Sequence, residues 1–277
     1  MNVRITSALL TLFLFAAPLA FARCGTPAPD KPPDLVEVDG AARGVIVAVP
    51  PDYEPTRPHA LVVAFHGRTN SNAEVRRYYG LEGDAREPTI VVYPAGKTDR
   101  SGRYVWNIPT DFNLFDEIVE VMSELYCVDG ERVFVAGHSL GASFANTLAC
   151  ARGAAIRGVA TVGGGIGPSR DCSGPVAALI LHNPRDRLVP MREALRVRNA
   201  RLAQNGLSPG SVPLLKDPFN CRRYGTEEAE NPVIWCPHAA DVTARGRFYP
   251  HQWPEGTGAA MMAFFGTLDD HSTAALP

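Results

Sequence analysis

Gly137-His138-Ser139-Leu140-Gly141 places a serine between two glycines, after the β-rich run 132–136 and at the head of the Ala- and Leu-rich stretch Leu140–Ala151. A strand that turns into a helix through Gly-x-Ser-x-Gly makes a nucleophile elbow: the turn is too tight for flanking side chains, and its strain projects the serine hydroxyl clear of the sheet. A serine hydroxyl is a weak nucleophile until a base removes its proton, so an acid and then a histidine must follow it. Asp186 stands within 182–190, after the strand-like run 176–181, where it would lie at a strand's carboxyl end and hold an imidazole in one tautomer. Two histidines compete to be the base. His251, in Phe248-Tyr-Pro-His251-Gln-Trp253-Pro254 shortly before a last helical segment, suits the role better than His238, which follows the apolar run 233–235 and is expected to be structural.

Acyl transfer to such a serine also needs two backbone N–H donors for the tetrahedral oxyanion. Leu140, the residue after the nucleophile, should give one. The other should come from Arg68 or Thr69 in His66-Gly67-Arg68-Thr69-Asn70, where His66 reads as a hydrogen-bonded structural residue. Tyr78, Tyr79, Trp106 and Trp253 lie in segments that could reach the same face. Tyr79, Trp106 and Trp253 are the candidates to stack on an aromatic acyl group, although such rings more often serve core or surface packing.

The elements that must position these residues are legible as an alternation. Runs 44–49, 60–65, 89–93, 132–136, Gly158–Val162 and 176–181 have the short, apolar, β-rich character of buried strands. Between or after them, Phe115, Ile118, Val119, Met122 and Leu125 recur at helical spacing, Leu140–Ala151 and Met191–Gln204 read as helices, and 259–265 as a last one. The pattern predicts an α/β fold, a mostly parallel sheet with helices on both faces. No repeat or interdomain linker interrupts it, so residues 23–277 are expected as one catalytic domain. Between Gly163 and Val176 there is too little chain for a lid, which points to an open cleft.

The rest of the composition narrows the setting. Of 277 residues, 27 are Lys or Arg and 29 Asp or Glu, and the arginines are scattered along the chain, so nothing in the sequence favours nucleic acid or an acidic membrane surface. Met-Asn-Val-Arg, an apolar run from Ile5 to Phe21 and Ala20-Phe21-Ala22 predict a signal peptide over 1–22, cleaved after Ala22, and therefore a secreted, extracellular or periplasmic protein. Arg23 before Cys24 argues against lipidation. No other stretch is long and apolar enough to span a membrane, and a monomer is expected. Six cysteines in an oxidising compartment predict disulfides. Cys221 and Cys236 are one expected pair, across a segment with little helical pattern; Cys127 and Cys150 are a second; Cys24 and Cys172 remain by elimination. No Cys-x-x-Cys or His-Glu-x-x-His occurs, so neither a metal nor another cofactor is expected.

Taken together, His66-Gly67, Gly137-His-Ser-Leu-Gly141, Cys127-Val-Asp-Gly-Glu-Arg-Val, the acid loop 182–190 and His251-x-Trp253-Pro254 resemble the secreted esterases that include feruloyl esterases and poly(3-hydroxybutyrate) depolymerases. The resemblance runs from about Gly44 to Phe265. It implies the α/β-hydrolase fold with Ser139, Asp186 and His251 as triad. Ala142, Asn183 and Pro250 depart from it, where glycine is common; they bear on the pocket's shape and not on the reacting groups. The expected function is a serine carboxylic ester hydrolase working through an acyl-enzyme on soluble or polysaccharide-linked hydroxycinnamoyl esters. A polyester depolymerase is the alternative substrate reading; such enzymes resemble a catalytic domain joined to a separate binding domain, and only residues 252–277 follow His251. A non-catalytic binding protein on the same fold is the alternative of another class.

Overall fold

The computed structural model describes residues 23–83, 88–168, 172–216 and 219–268, so the expected signal peptide lies outside the described residues. Ten strands form one sheet in the order β1-β2-β4-β3-β7-β8-β9-β12-β11-β10: β1 Leu35–Val38, β2 Ala41–Ala48, β3 His59–Phe65, β4 Thr89–Pro94, β7 Val128–His138, β8 Gly158–Val162, β9 Ala177–His182, β10 Ser211–Lys216, β11 Phe219–Tyr224 and β12 Val233–Pro237. β5 Lys97–Thr98 and β6 Tyr104–Val105 form a separate ribbon. The six neighbours from β4 to β12 run parallel, and the edges are antiparallel.

Parallel strands need both faces covered, and the central sequences supply two apolar faces. Along β3, Leu61, Val63 and Phe65 enter one core with α2 Phe112–Leu125, α3 Leu140–Ala151 and α4 Met191–Gln204. Ala60, Val62 and Ala64 enter the other core, with α1 Asn72–Tyr79 and α5 Thr257–Gly266. Ser71 and Glu74 start α1 with a capping box, two side chains exchanging bonds with orphan N–H groups.

Register aligns the carboxyl ends of the strands that matter. Phe65 of β3 faces Gly137 of β7, His138 faces Val162 of β8, Val162 faces Leu181 of β9, and His182 faces Pro237 of β12. The loops after these strands therefore meet at one end of the sheet, where open α/β sheets hold their ligands. The run 233–235 is the core of β12, the last parallel strand, and β10 and β11 hairpin onto it at the edge.

All six cysteines are paired: Cys24–Cys127, Cys150–Cys172 and Cys221–Cys236. Cys221–Cys236 joins neighbouring β11 and β12. The expected Cys127–Cys150 and Cys24–Cys172 pairs are not formed, for a reason of length. β7 has 11 residues and α3 has 12; at about 3.3 Å per strand residue and 1.5 Å per helix residue, the helix returns only about half the distance the strand covers. Cys150 thus ends near the loop after β8, where it meets Cys172, and Cys127 at the far end of β7 is met by Cys24.

Candidate active site

Ser139 sits between β7 and α3 at φ 58° and ψ −119°, a backbone conformation that residues with a Cβ seldom adopt. The flanking glycines make that turn sterically feasible. A Cβ on Gly137 would lie 2.6 Å from the carbonyl carbon of Gly141, and one on Gly141 would lie 2.2 Å from the Phe65 oxygen. Ala142, where the resembled family commonly has glycine, is accommodated because Gly164 faces it: a Cβ there would come within 2.4 Å of the Ala142 methyl.

His251 Nε2 lies 2.7 Å from Ser139 Oγ, and its Nδ1 lies 2.6 Å from Asp186 Oδ2. A carboxylate only accepts, so the ring proton sits on Nδ1 and Nε2 is left to accept from the serine hydroxyl. Asp186 is buried, which opposes its charge, but the bond from His251 and the N–H groups of Val189 and Leu188 outweigh that cost and hold its carboxyl below the usual range. His182 closes the same loop through Nε2 and the Val189 carbonyl, 2.9 Å apart. Asn183, another departure from glycine, donates its Nδ2 to Asp241 Oδ1 (2.9 Å) and the Ala240 carbonyl (3.2 Å). Arg185 pairs with the other oxygen of Asp241 at 2.5 Å. The acid loop is thereby tied to the segment that leads to His251.

His238 is apart from this group. Its backbone N–H bonds to the His182 carbonyl, its Nδ1 accepts from the Ala240 N–H at 3.3 Å, and burial together with neighbouring His182 pushes its pKa down to about 4.

The loop after β3 lies against the serine: a Cβ on Gly67 would be 3.4 Å from that of Ser139. Leu140 directly follows the serine, and Arg68 and Thr69 directly follow Gly67. His66 braces this loop, accepting from the Gly96 N–H at 2.8 Å through Nε2 and donating from Nδ1 to the Gly67 carbonyl at 2.8 Å; burial lowers its pKa.

Two of the three stacking candidates do not reach a ligand. Tyr79 is fully buried and donates its hydroxyl to the Phe65 carbonyl; Trp106 is buried and donates Nε1–H to the His66 carbonyl at 2.9 Å. From the cores on opposite faces of the sheet, the two fasten the end of β3 and the start of its loop, because a buried ring's polar tip must find a partner. Trp253 is half-exposed and stacks on Tyr79 at 4.0 Å, its ring 6.1 Å from that of His138.

Two further residues shape the site without a signal in the sequence pattern. Gly163, at φ 59°, lies under the histidine and acid, where a Cβ would meet His251 Nδ1 at 3.2 Å and Asp186 Oδ2 at 3.5 Å. His138, within the elbow itself, places its ring 5.0 Å from that of His251, and burial pushes its pKa down to about 3, so it packs there uncharged. Among the described residues no three His, Cys, Asp or Glu side chains converge on a position that could hold a metal ion.

The esterase family model, described as "Putative esterase", matches residues 40–193, a span that contains Ser139 and Asp186 and stops before His251. Feruloyl esterase C of Emericella nidulans is 28% identical over 219 residues, covering 73% of this chain and 77% of that protein. Feruloyl esterase D of Neurospora crassa is 27% identical over 270 residues, 87% and 90% of the two chains. The solved acetyl xylan esterase from Aspergillus awamori has a TM-score of 0.57 at 15% identity, covering 81% of this chain and 94% of its own, a likeness of fold.

Proposed function

The chain belongs to the esterase family and is a carboxylic ester hydrolase, and on that premise we propose that it is a secreted serine esterase of feruloyl-esterase type, with Ser139, Asp186 and His251 as its triad. The hydrogen-bonded chain from Asp186 through His251 to Ser139, 2.6 and 2.7 Å, carries the reading. Ser139 Oγ attacks the ester carbonyl while His251 Nε2 takes its proton, and Asp186 stabilises the imidazolium that results. The N–H of Leu140 and that of Arg68 or Thr69 bind the oxyanion. Collapse expels the alcohol, which receives the proton from His251. Water then attacks the acyl-enzyme with His251 again as base, releasing the acid and restoring Ser139.

Relatives named as feruloyl esterases support a hydroxycinnamoyl ester as substrate. Secretion is supported by the apolar amino-terminal run and by three disulfides, which persist in oxidising compartments. Cys24, bonded to Cys127, offers no thiol for a lipid. A fluorophosphonate should label Ser139 and leave a Ser139→Ala variant unlabelled. Hydrolysis should rank methyl ferulate and p-nitrophenyl acetate above a hydroxybutyrate oligomer, and the exported protein should begin at Arg23. An unlabelled native protein would support a non-catalytic binding role. A polyester is the second reading, favoured by exposed Leu188, Val242 and Phe248 on the loops that hold Asp186 and His251; clearing of a polyester suspension without hydrolysis of methyl ferulate would select it.

A further inference from the structure

The loops after β3, β4, β9 and β12 span residues 66–71, 95–107, 183–190 and 238–256, and all leave the sheet at the end that carries Ser139. In strand order, β4 and β3 lie on one side of β7, and β9 and β12 on the other. The four loops hold eight Lys and Arg residues against four acidic ones, Asp99, Asp186, Asp241 and Glu255, in a chain whose totals are 27 and 29. Seven of the chain's 24 arginines stand in these loops, on both sides of the serine's strand.

Among the described residues four of the eight cations have carboxylate partners, Lys97 lying 3.8 Å from Asp111, and four have none. Asp186 is buried against His251, Asp99 pairs with Arg68 at 3.3 Å and Arg103 at 3.4 Å, and Asp241 pairs with Arg185. Arg100 on one side, and Arg187, Arg245 and Arg247 on the other, are exposed with no carboxylate within ion-pair distance among the described residues. Aromatic faces stand among them: the Arg185 guanidinium lies 5.1 Å above the half-exposed Phe248 ring, and that of Arg247 5.6 Å from the Tyr249 ring. Planar cations interleaved with ring faces suit a chain of sugar rings that carries carboxylates.

We propose that this rim binds a uronic-acid-bearing polysaccharide, whose chain crosses the mouth while an ester attached to it enters the site. The proposal rests on the esterase reading above. A nucleic acid offers the same negative charge but no carboxylic ester to cut. An anionic bilayer offers a flat surface, whereas these cations stand on both sides of the serine, as a track for a strand would require.

Affinity electrophoresis of the Ser139→Ala protein, through gels containing polygalacturonate, neutral arabinoxylan or DNA, reads binding without turnover. Polygalacturonate alone should retard it at low salt, and the retardation should vanish at about 0.5 M salt, where screening acts within about 4 Å. Adding Arg100→Glu and Arg245→Glu should weaken binding about tenfold, and the Lys pair at the same positions should restore most of it. Equal retardation by arabinoxylan, by DNA or by anionic vesicles would overturn the assignment, as would an unchanged affinity in the Glu pair. Hydrolysis of methyl ferulate by the native protein is read separately. Its absence with binding intact would overturn the esterase reading and leave the rim, and its presence without binding would do the reverse.

Discussion

Ser139 holds a backbone conformation that costs a residue with a Cβ about 1–3 kcal/mol, and the packing of Gly137 and Gly141 against Phe65 and one another enforces it. The hydroxyl and the strain can be separated by substitution. Ser139→Ala keeps the Cβ, so its melting temperature should match that of the native protein while kcat falls about a million-fold. Ser139→Gly should be equally inactive yet more stable, by about 1 kcal/mol or a rise of about 2–4 °C, because glycine adopts φ 58° without penalty. Calorimetry of the two variants checks this, and a Gly variant melting no higher than the Ala variant would remove strain from the account. Gly163→Ala probes the other side of the triad. Its Cβ would press on both His251 and Asp186, so kcat should fall about ten- to a hundredfold with little change in KM.

Strand order and disulfides set how firmly the loops are held. β12 is the last parallel strand before His251, and Cys221–Cys236 fastens it to β11. Closing a loop of 15 positions contributes about 3 kcal/mol on the chain-entropy model, so the Cys221→Ser/Cys236→Ser variant should melt about 6–12 °C lower. An unchanged melting temperature would show that strand pairing alone orders this edge. The central elements were legible from sequence because burial on both faces leaves β3, β8 and β9 mostly apolar, and because α3 follows β7 directly and α4 follows β9 after one short loop. The edge was not: β11 reads Phe-Asn-Cys-Arg-Arg-Tyr, with only its ends buried, and so lacks the periodicity of a core strand. The serine, acid and histidine carry local motifs. Nothing local tells that Tyr79 and Trp106 point inward, that Gly163 underlies the histidine, or that α3 is too short to bring Cys150 back to Cys127.

Across the whole molecule the buried histidines couple folding to pH. Burial lowers the pKa of His59, His66, His138, His182 and His238, to about 3 for His138 and about 4 for His238. In the unfolded chain each takes a proton near pH 6.5, whereas in the folded protein each takes it at a lower pH, His138 and His238 only near 3 and 4. The unfolded state therefore binds more protons, and stability present above about pH 6.5 is lost as the pH falls toward the folded values. Between about pH 6.5 and 5, His138 and His238 remain neutral when folded and together withdraw about 3 kcal/mol, so the melting temperature should drop by about 6–12 °C. Carboxylates act elsewhere on the scale. Asp186 and Asp241 have depressed pKa values, so what they contribute persists until the pH falls below the ordinary carboxylate range, under about 4. Loss between pH 6.5 and 5 thus belongs to the histidines, and a His238→Gln variant should show a shallower slope there. A melting temperature at pH 5 equal to that at pH 7.5 would mean that these rings are protonated in the folded protein, and the uncharged packing of His138 against His251 would go with it.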